Sequence, residues 1–300
     1  MKYILLIIGF ILLIKGADYF VDGSSRIAKV FSIPSVVIGM TIVALGTSLP
    51  EFFVSLISVI NNSSNLSISN IVGSNMFNLF LILGICSLFC DFKIGDNDYK
   101  FLLLSGISIV VISIFYHMFI GNYMIGRIGG LLLVLLLIYY IGLNVKRINS
   151  DGIKEKWNNK NILLLIIGLV MLVIGGKLVV NNAIIIAKSI GVSERVIGLT
   201  IVAIGTSLPE LFTSIIALIK NDKGIAVGNI VGSNILNILF IGGISSFLLP
   251  MELSIRNIMD LIIYVFGMLF IMFKRESINK RMGLFMILFY VIYYIYVWIM

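Results

Sequence analysis

Ten apolar stretches limit what this chain can fold into. They run from about 3 to 21, 33 to 60, 70 to 90, 100 to 119, 123 to 143, 162 to 186, 193 to 219, 228 to 249, 256 to 273 and 281 to 299. Each is close to or above the roughly 20 residues a helix needs to cross a bilayer's hydrocarbon core. Hydrocarbon offers no water to backbone amides and carbonyls, so each stretch must satisfy them internally as helix. A spanning barrel would instead show alternating segments of about ten residues. With 60% hydrophobic and 12% charged residues, a soluble domain is excluded. The expected fold is an all-α integral membrane protein with ten transmembrane helices.

The stretches fall five and five about a polar segment, NVKRINSDGIKEKWNNKN, at 144–161. Two short polar blocks recur across that divide. TIVALGTSLPE at 41–51 returns as TIVAIGTSLPE at 200–210, and NIVGSNMFN at 70–78 returns as NIVGSNILN at 229–237, all at one offset of 159 without a gap. Across 37–51 with 70–78 and their counterparts, 20 of 24 positions are identical. The chain therefore reads as a first five-helix repeat (1–143, block 37–78), a linker (144–161) and a second repeat (162–300, block 196–237). With five spans per repeat, the second copy enters the membrane from the opposite side, and inverted repeats bring equivalent segments together at mid-membrane.

The net charge of +8 is explained by the positive-inside rule rather than by nucleic acid. Loops after spans 1, 3, 5, 7 and 9 carry 15 Lys and Arg, and the opposite side carries five. The expectation is a multi-pass protein of the cell membrane, with both termini outside and the 144–161 loop cytoplasmic. The first span has the charge and apolar run of a signal peptide but lacks a small-residue cleavage site, so it is expected to be a retained helix. Gly9 and Gly16 match Gly168 and Gly175 in spans 1 and 6; small residues there allow another helix to come close or slide past. Spans 4, 5, 9 and 10 have no repeated polar signature and read as scaffold. Asp18 and Asp22 are expected to be interfacial or solvated, with a place in an ion vestibule also open, and His117 to sit in the outer loop after span 4.

The repeated blocks carry the chemistry. Pro50 and Pro209 cannot donate to the carbonyls of Gly46 and Gly205, and their rings open the preceding turn, so spans 2 and 7 should break near their middles beside Glu51 and Glu210. Irregular backbone at that depth is tolerated only where it is buried in protein or lines a cavity. A Gly-Ser-Asn turn is expected in spans 3 and 8, at Gly73–Ser74–Asn75 and Gly232–Ser233–Asn234. Ser74 with Asn78, and Ser233 with Asn237, lie four apart and share a helix face. Asn75 and Asn234 point elsewhere, where amides can also bond across helices. An ionised carboxylate at the bilayer centre costs at least roughly 2.5 to 3.5 kcal/mol. Neither block contains Lys, Arg or His. Compensation must come from bound cations or protons. The remaining groups are hydroxyl, carbonyl and amide oxygens, which suit calcium, sodium or magnesium and argue against copper or zinc.

With GTSLPE in both halves and GSNMFN and GSNILN behind them, the chain resembles the calcium/cation antiporter superfamily, most closely its sodium/calcium exchanger branch. The resemblance implies broken helices 2, 3, 7 and 8 around a diamond of cation sites. Calcium would be held by the carboxylates of Glu51 and Glu210 and the backbone carbonyls of Thr47 and Thr206, with sodium competing. Flanking sodium sites would use the carbonyls of Ala44 and Ala203 and the hydroxyls of Ser48, Ser207, Ser74 and Ser233, with Asn78 and Asn237 facing the centre. Spans 1 and 6 would slide across this core. Many relatives carry an Asp at one of the two positions held here by Asn78 and Asn237; amides at both leave two carboxylates to bear all bound charge. The implied activity is antiport of Na+ against Ca2+, without a cofactor, an enzymatic step or an obligatory protein partner. A proton-coupled or potassium-dependent calcium exchanger is the alternative, and a channel or an intramembrane acid–base enzyme lies further off.

Overall fold

The computed structural model describes residues 2–146, 158–189, 191, 203–272 and 277–299. Most of the 144–161 linker lies outside the described residues, as do 192–202, including the start of the second copy of the first block, and several of the cationic loop residues. The described residues are almost wholly helical. Seven of their helices are long and apolar enough to cross a membrane, or eight when one bent pair is taken as a single span.

Helix α1 runs Lys2–Val30. The first block occupies α2 (Ser35–Ile38), a π-helical stretch Gly39–Val43, α3 (Ala44–Thr47) and α4 (Leu49–Ile60). The second lies on α5 (Ser64–Met76), which continues through a π-helical stretch Phe77–Ile82 into α6 (Leu83–Ser87). Helices α7 (Asp96–Ile120) and α8 (Arg127–Val145) complete the first half. The second half has α9 (Asn159–Ser189), α10 (Ala203–Thr206), α11 (Leu208–Ile219), α12 (Lys223–Leu236), a π-helical stretch Asn237–Gly242, α13 (Gly243–Leu248), α14 (Ile255–Met272) and α15 (Lys280–Ile299).

The duplication extends to the backbone. The turn after α4 passes through Asn62 at φ +56° and the turn after α11 through Asn221 at φ +59°. In both, the next N–H reaches back five residues at 2.8 Å, Ser63 to the Ser58 carbonyl and Asp222 to the Ala217 carbonyl. This is the left-handed C-terminal cap that asparagine tolerates better than most side chains. The expected Gly-Ser-Asn turns are absent. Gly73–Asn75 and Gly232–Asn234 lie inside regular helix, and the irregularity falls further on, where the ladder widens from Phe77 and from Asn237. Spans 3 and 8 are thus widened rather than broken, because no proline removes a donor there.

By contacts the chain divides into two compact units, Met1–Pro50 with Asn144–Gly232 and Glu51–Leu143 with Ser233–Met300. In the first, α1 and α9 pack along a glycine seam. A Cβ on Gly16 would stand 3.0 Å from the Gly168 carbonyl oxygen, and one on Gly9 at the same distance from that of Gly175. Gly23, which has no glycine at the repeat offset, extends the seam: its Cβ would lie 2.6 Å from the Leu165 amide. Asp18 and Asp22 of α1 are paired rather than merely solvated, at 2.7 and 2.6 Å from Lys220 Nζ in the turn after α11.

In the second unit α7 packs on α14, and α15 packs on α6. Short antiparallel pairings of Met124–Ile125 with Met251–Glu252, and of Phe92 with Ile278, tie the ends. His117 lies in the last turn of α7 instead of a loop and stacks on Tyr123 at 4.0 Å. In the spans Ser64–Ser87 and Lys223–Leu248, 78% and 89% of the most apolar window is buried, against 22% in α7 and 33% in α8. These two second-block spans are mostly buried, whereas α7 and α8 present apolar side chains outward, as a lipid-facing scaffold does.

A Cβ on Gly168 would meet the Phe20 amide nitrogen and, at 2.7 Å, the Gly16 carbonyl oxygen, neither of which can rotate away. Gly168→Ala is expected to destabilise the purified protein by about 1–3 kcal/mol, the usual range for overpacking, read as a lowered thermal unfolding midpoint.

Candidate functional site

The block-one helices break at the serines. Ser48 has φ −83°, ψ 6° and Ser207 has φ −90°, ψ 8°, close to the bridge region. The helix pair around Ser48 is bent by 49°. Prolines two residues later account for the position: each removes one N–H from the ladder, and a proline is well accommodated in the first turn of the helix that restarts. Gly46 and Gly205 sit within the short helices α3 and α10, ahead of the break. Their missing side chains make room: a Cβ on Gly46 would come within 2.9 Å of the Phe20 ring of α1, and one on Gly205 would strike Val180 of α9.

Each break puts a glutamate in the first turn of a new helix, Glu51 in α4 and Glu210 in α11. Unsatisfied N–H groups and the helix dipole make this the end where a carboxylate is best tolerated. Both glutamates are fully buried.

In the first unit, Ser48 Oγ donates to Glu210 Oε1 at 3.0 Å, so the break residue of one half serves the carboxylate of the other. Thr47, the last residue of α3, donates its hydroxyl to Asn229 Oδ1 at 2.9 Å. The Asn229 Nδ2 group donates to the Glu210 carbonyl at 3.2 Å and to Ser214 Oγ at 3.0 Å. Ala44 opens α3, and its carbonyl accepts the Ser48 N–H at 3.0 Å. In the second half Ala203 opens α10 and Thr206 ends it, with Ser207 buried at the break.

In the second unit, Ser74 Oγ donates to Glu51 Oε1 at 3.4 Å. Asn70 Nδ2 donates to the Glu51 carbonyl at 3.2 Å and to Ser55 Oγ at 3.0 Å, matching the Asn229 bonds in both distances. Ser233 is buried on α12. Asn75 and Asn234 bond to each other across helices, Asn75 Nδ2 donating to the Asn234 carbonyl at 3.1 Å. Asn237 Nδ2 donates to Asn75 Oδ1 at 3.0 Å. Among the buried amides of the second blocks, Asn237 Oδ1 and both amide atoms of Asn78 have no hydrogen-bond partner among the described residues. A buried amide without a protein partner costs about 1–3 kcal/mol, and such groups are rare enough to call for an explanation.

Each half therefore gathers one dehydrated carboxylate with hydroxyl and amide groups, a hard-oxygen donor set suited to alkali and alkaline-earth cations. Sequence reasoning passed over Asn70 and Asn229, which staple the restarted helix to the second block; their identity at the 159 offset was the available signal. It also missed Tyr264 of α14, fully buried and bonded to Asn234 Oδ1 at 3.0 Å, which stands outside both blocks and is not repeated.

The family described as sodium/calcium exchanger protein matches residues 1–146 and 160–299. An uncharacterised membrane protein of Methanocaldococcus jannaschii, MJ0091, is 35% identical over 294 residues, covering 95% of this chain and 94% of its own length. The sodium/calcium exchanger MaX1 of Methanosarcina acetivorans is 29% identical, covering 84% of this chain and 85% of its own. Among solved structures, the sodium-calcium exchanger NCX_Mj, soaked with Na+ and Sr2+, superposes with a TM-score of 0.84 at 32% identity, over 97% of each chain. This chain belongs to the sodium/calcium exchanger protein family.

Proposed function

We propose that this protein is a secondary active antiporter exchanging Na+ for Ca2+ across a membrane by alternating access. The observation that carries the reading is a fully buried glutamate at the start of a restarted helix in each half, accompanied by oxygen donors and by the Asn78 amide and Asn237 Oδ1, which have no hydrogen-bond partner among the described residues. In this reading Glu51 and Glu210 are the charged ligands of one calcium ion, with the backbone carbonyls of Thr47 and Thr206, and sodium competes for the same carboxylates. Further sodium ions use the carbonyls of Ala44 and Ala203 and the hydroxyls of Ser48, Ser207, Ser74 and Ser233. Asn78 and Asn237 turn amide oxygens toward the ions. Two carboxylates balance one divalent charge, and calcium's flexible coordination by six to eight oxygens suits a site built from bent helices.

Exchange follows from the cost of an empty site. Closing a dry core around two uncompensated carboxylates is penalised, while a calcium ion or a set of sodium ions removes the penalty, so loaded forms cross and empty ones do not. The glycine seam of α1 and α9, which touches the helix breaks through Phe20 and Val180, supports assigning this pair as the element that slides to switch access. The full reading has ten spans in two inverted repeats, both termini outside and the 144–161 loop cytoplasmic, supported by the five-and-five apolar pattern and the cation bias of the loops.

Purified protein in sodium-loaded liposomes is expected to take up calcium on dilution into sodium-free buffer. Uptake driven by a pH gradient alone, with no need for internal sodium, would transfer the protein to the proton-coupled class. Glu51→Gln and Glu210→Gln should each reduce sodium-driven calcium uptake to the background of empty liposomes; full uptake by either would remove that residue from the site. Ser48→Ala removes the hydroxyl bonded to Glu210 and should raise the half-saturating calcium concentration by about 10-fold or more, the loss expected for a hydrogen bond to a charged group worth about 1.5–3 kcal/mol.

A further inference from the structure

Asn78 and Asn237 occupy equivalent repeat positions, yet their surroundings differ. Asn237 Nδ2 is committed to Asn75 Oδ1 at 3.0 Å, which turns Asn237 Oδ1 away from the protein's own donors. Repeat symmetry would give Asn78 the matching bond, from its Nδ2 to Asn234 Oδ1. That acceptor instead receives the hydroxyl of Tyr264 at 3.0 Å, and neither amide atom of Asn78 has a partner among the described residues. The Tyr264 oxygen also accepts from Asn75 Nδ2 at 3.5 Å. It therefore touches both asparagines behind the candidate ligands. At the same offset the first half has Ser105, too short for this role, its hydroxyl bonded to the Leu102 carbonyl of its own helix at 2.7 Å.

We infer that Tyr264 is a positioning residue for ion binding, which makes the two central asparagines inequivalent. Acting through Asn75, it fixes the Asn237 carboxamide with its oxygen outward as a preset ligand. By occupying Asn234 Oδ1, it leaves Asn78 as the carboxamide that turns to suit the ion present. Each hydrogen bond that an amide makes limits the orientations open to it, and buried polar networks act as a unit. Outer partners that orient a ligand affect affinity almost as strongly as the ligand does. An exchanger that must hold ions of different charge gains from one rigid and one adaptable amide: the rigid oxygen defines the site, and the adaptable one tunes it. Being fully buried on α14, Tyr264 is placed to act on ions only through its asparagine neighbours.

This inference rests on the exchanger reading, and sodium-driven calcium uptake by the unmodified protein tests that reading first; its absence would remove both. Where the unmodified protein transports, Tyr264→Phe keeps the ring and removes the hydroxyl. The half-saturating calcium concentration is expected to rise about 5- to 10-fold, with maximal rate and ion-free melting temperature nearly unchanged. In an Asn237→Ala background the same substitution should add less than it does alone, because the part of the effect that passes through Asn237 is already lost. Half-saturation within twofold of the unmodified protein, or full additivity in the double variant, would overturn the assignment. Should Tyr264→Phe not fold, Asn75→Ala cuts the same chain one link later. It is judged by the calcium concentration giving half of the thermal stabilisation that the ion confers: a rise supports the assignment and no change overturns it.

Discussion

A carboxylate removed from water is the constraint on which this structure depends. Glu51 and Glu210 are fully buried in a chain that exposes many large apolar side chains. At such a depth an ion is stable only if donors and opposite charge are arranged around it. The local architecture provides this. A proline-linked break starts a new helix two residues before each glutamate, setting the carboxylate in its first turn at the positive end of the helix dipole. Serine hydroxyls donate to the carboxylates, and Asn70 and Asn229 hold the restarted helices to the second block through paired bonds of equal length in both halves. These donors are neutral, so they supply hydrogen bonds to the carboxylates but no opposite charge.

Duplication made the scaffold for this, and departures from it bear on function. The turns at Asn62 and Asn221, the breaks at Ser48 and Ser207 and the two asparagine staples are repeated nearly unchanged. Other positions differ. Asp18 and Asp22 stand where the second half has Lys177 and Asn181, and they pair with Lys220 across the first unit. Tyr264 stands where the first half has Ser105. A symmetric site would bind identical ions identically on its two sides, whereas exchange of ions that differ in charge and number benefits from ligands that are not equivalent.

The surroundings of the site divide the remaining work. The α1–α9 pair approaches backbone to backbone along glycines and touches the breaks through Phe20 and Val180. Small residues at these positions are what let the two backbones come this close. Helices α7 and α8 face outward with apolar side chains and carry little of the polar network. The second-block spans are largely buried and hold the amides.

Much of this was legible in one sequence. Membrane character follows from the apolar stretches, because backbone polar groups in hydrocarbon have only a helix or a closed barrel to satisfy them. The position of the candidate site follows from the identical polar blocks, and the hard-oxygen character of its groups from their residue types. Spacing also placed the breaks near Pro50 and Pro209, since a missing N–H acts within one turn of the chain. What lay beyond reach depends on contacts between residues far apart in sequence. The extension of the glycine seam by Gly23, the pairing of Lys220 with α1, the continuity of the helices at Gly73 and Gly232, and the bond of Tyr264 to Asn234 appear only once the helices are packed. The sequence alone determined that two dehydrated carboxylates sit among oxygen donors in a membrane, because that follows from local composition and covalent geometry. Tertiary structure alone decided which amide oxygens stay open, because the orientation of a buried amide depends on partners that the fold brings from distant helices.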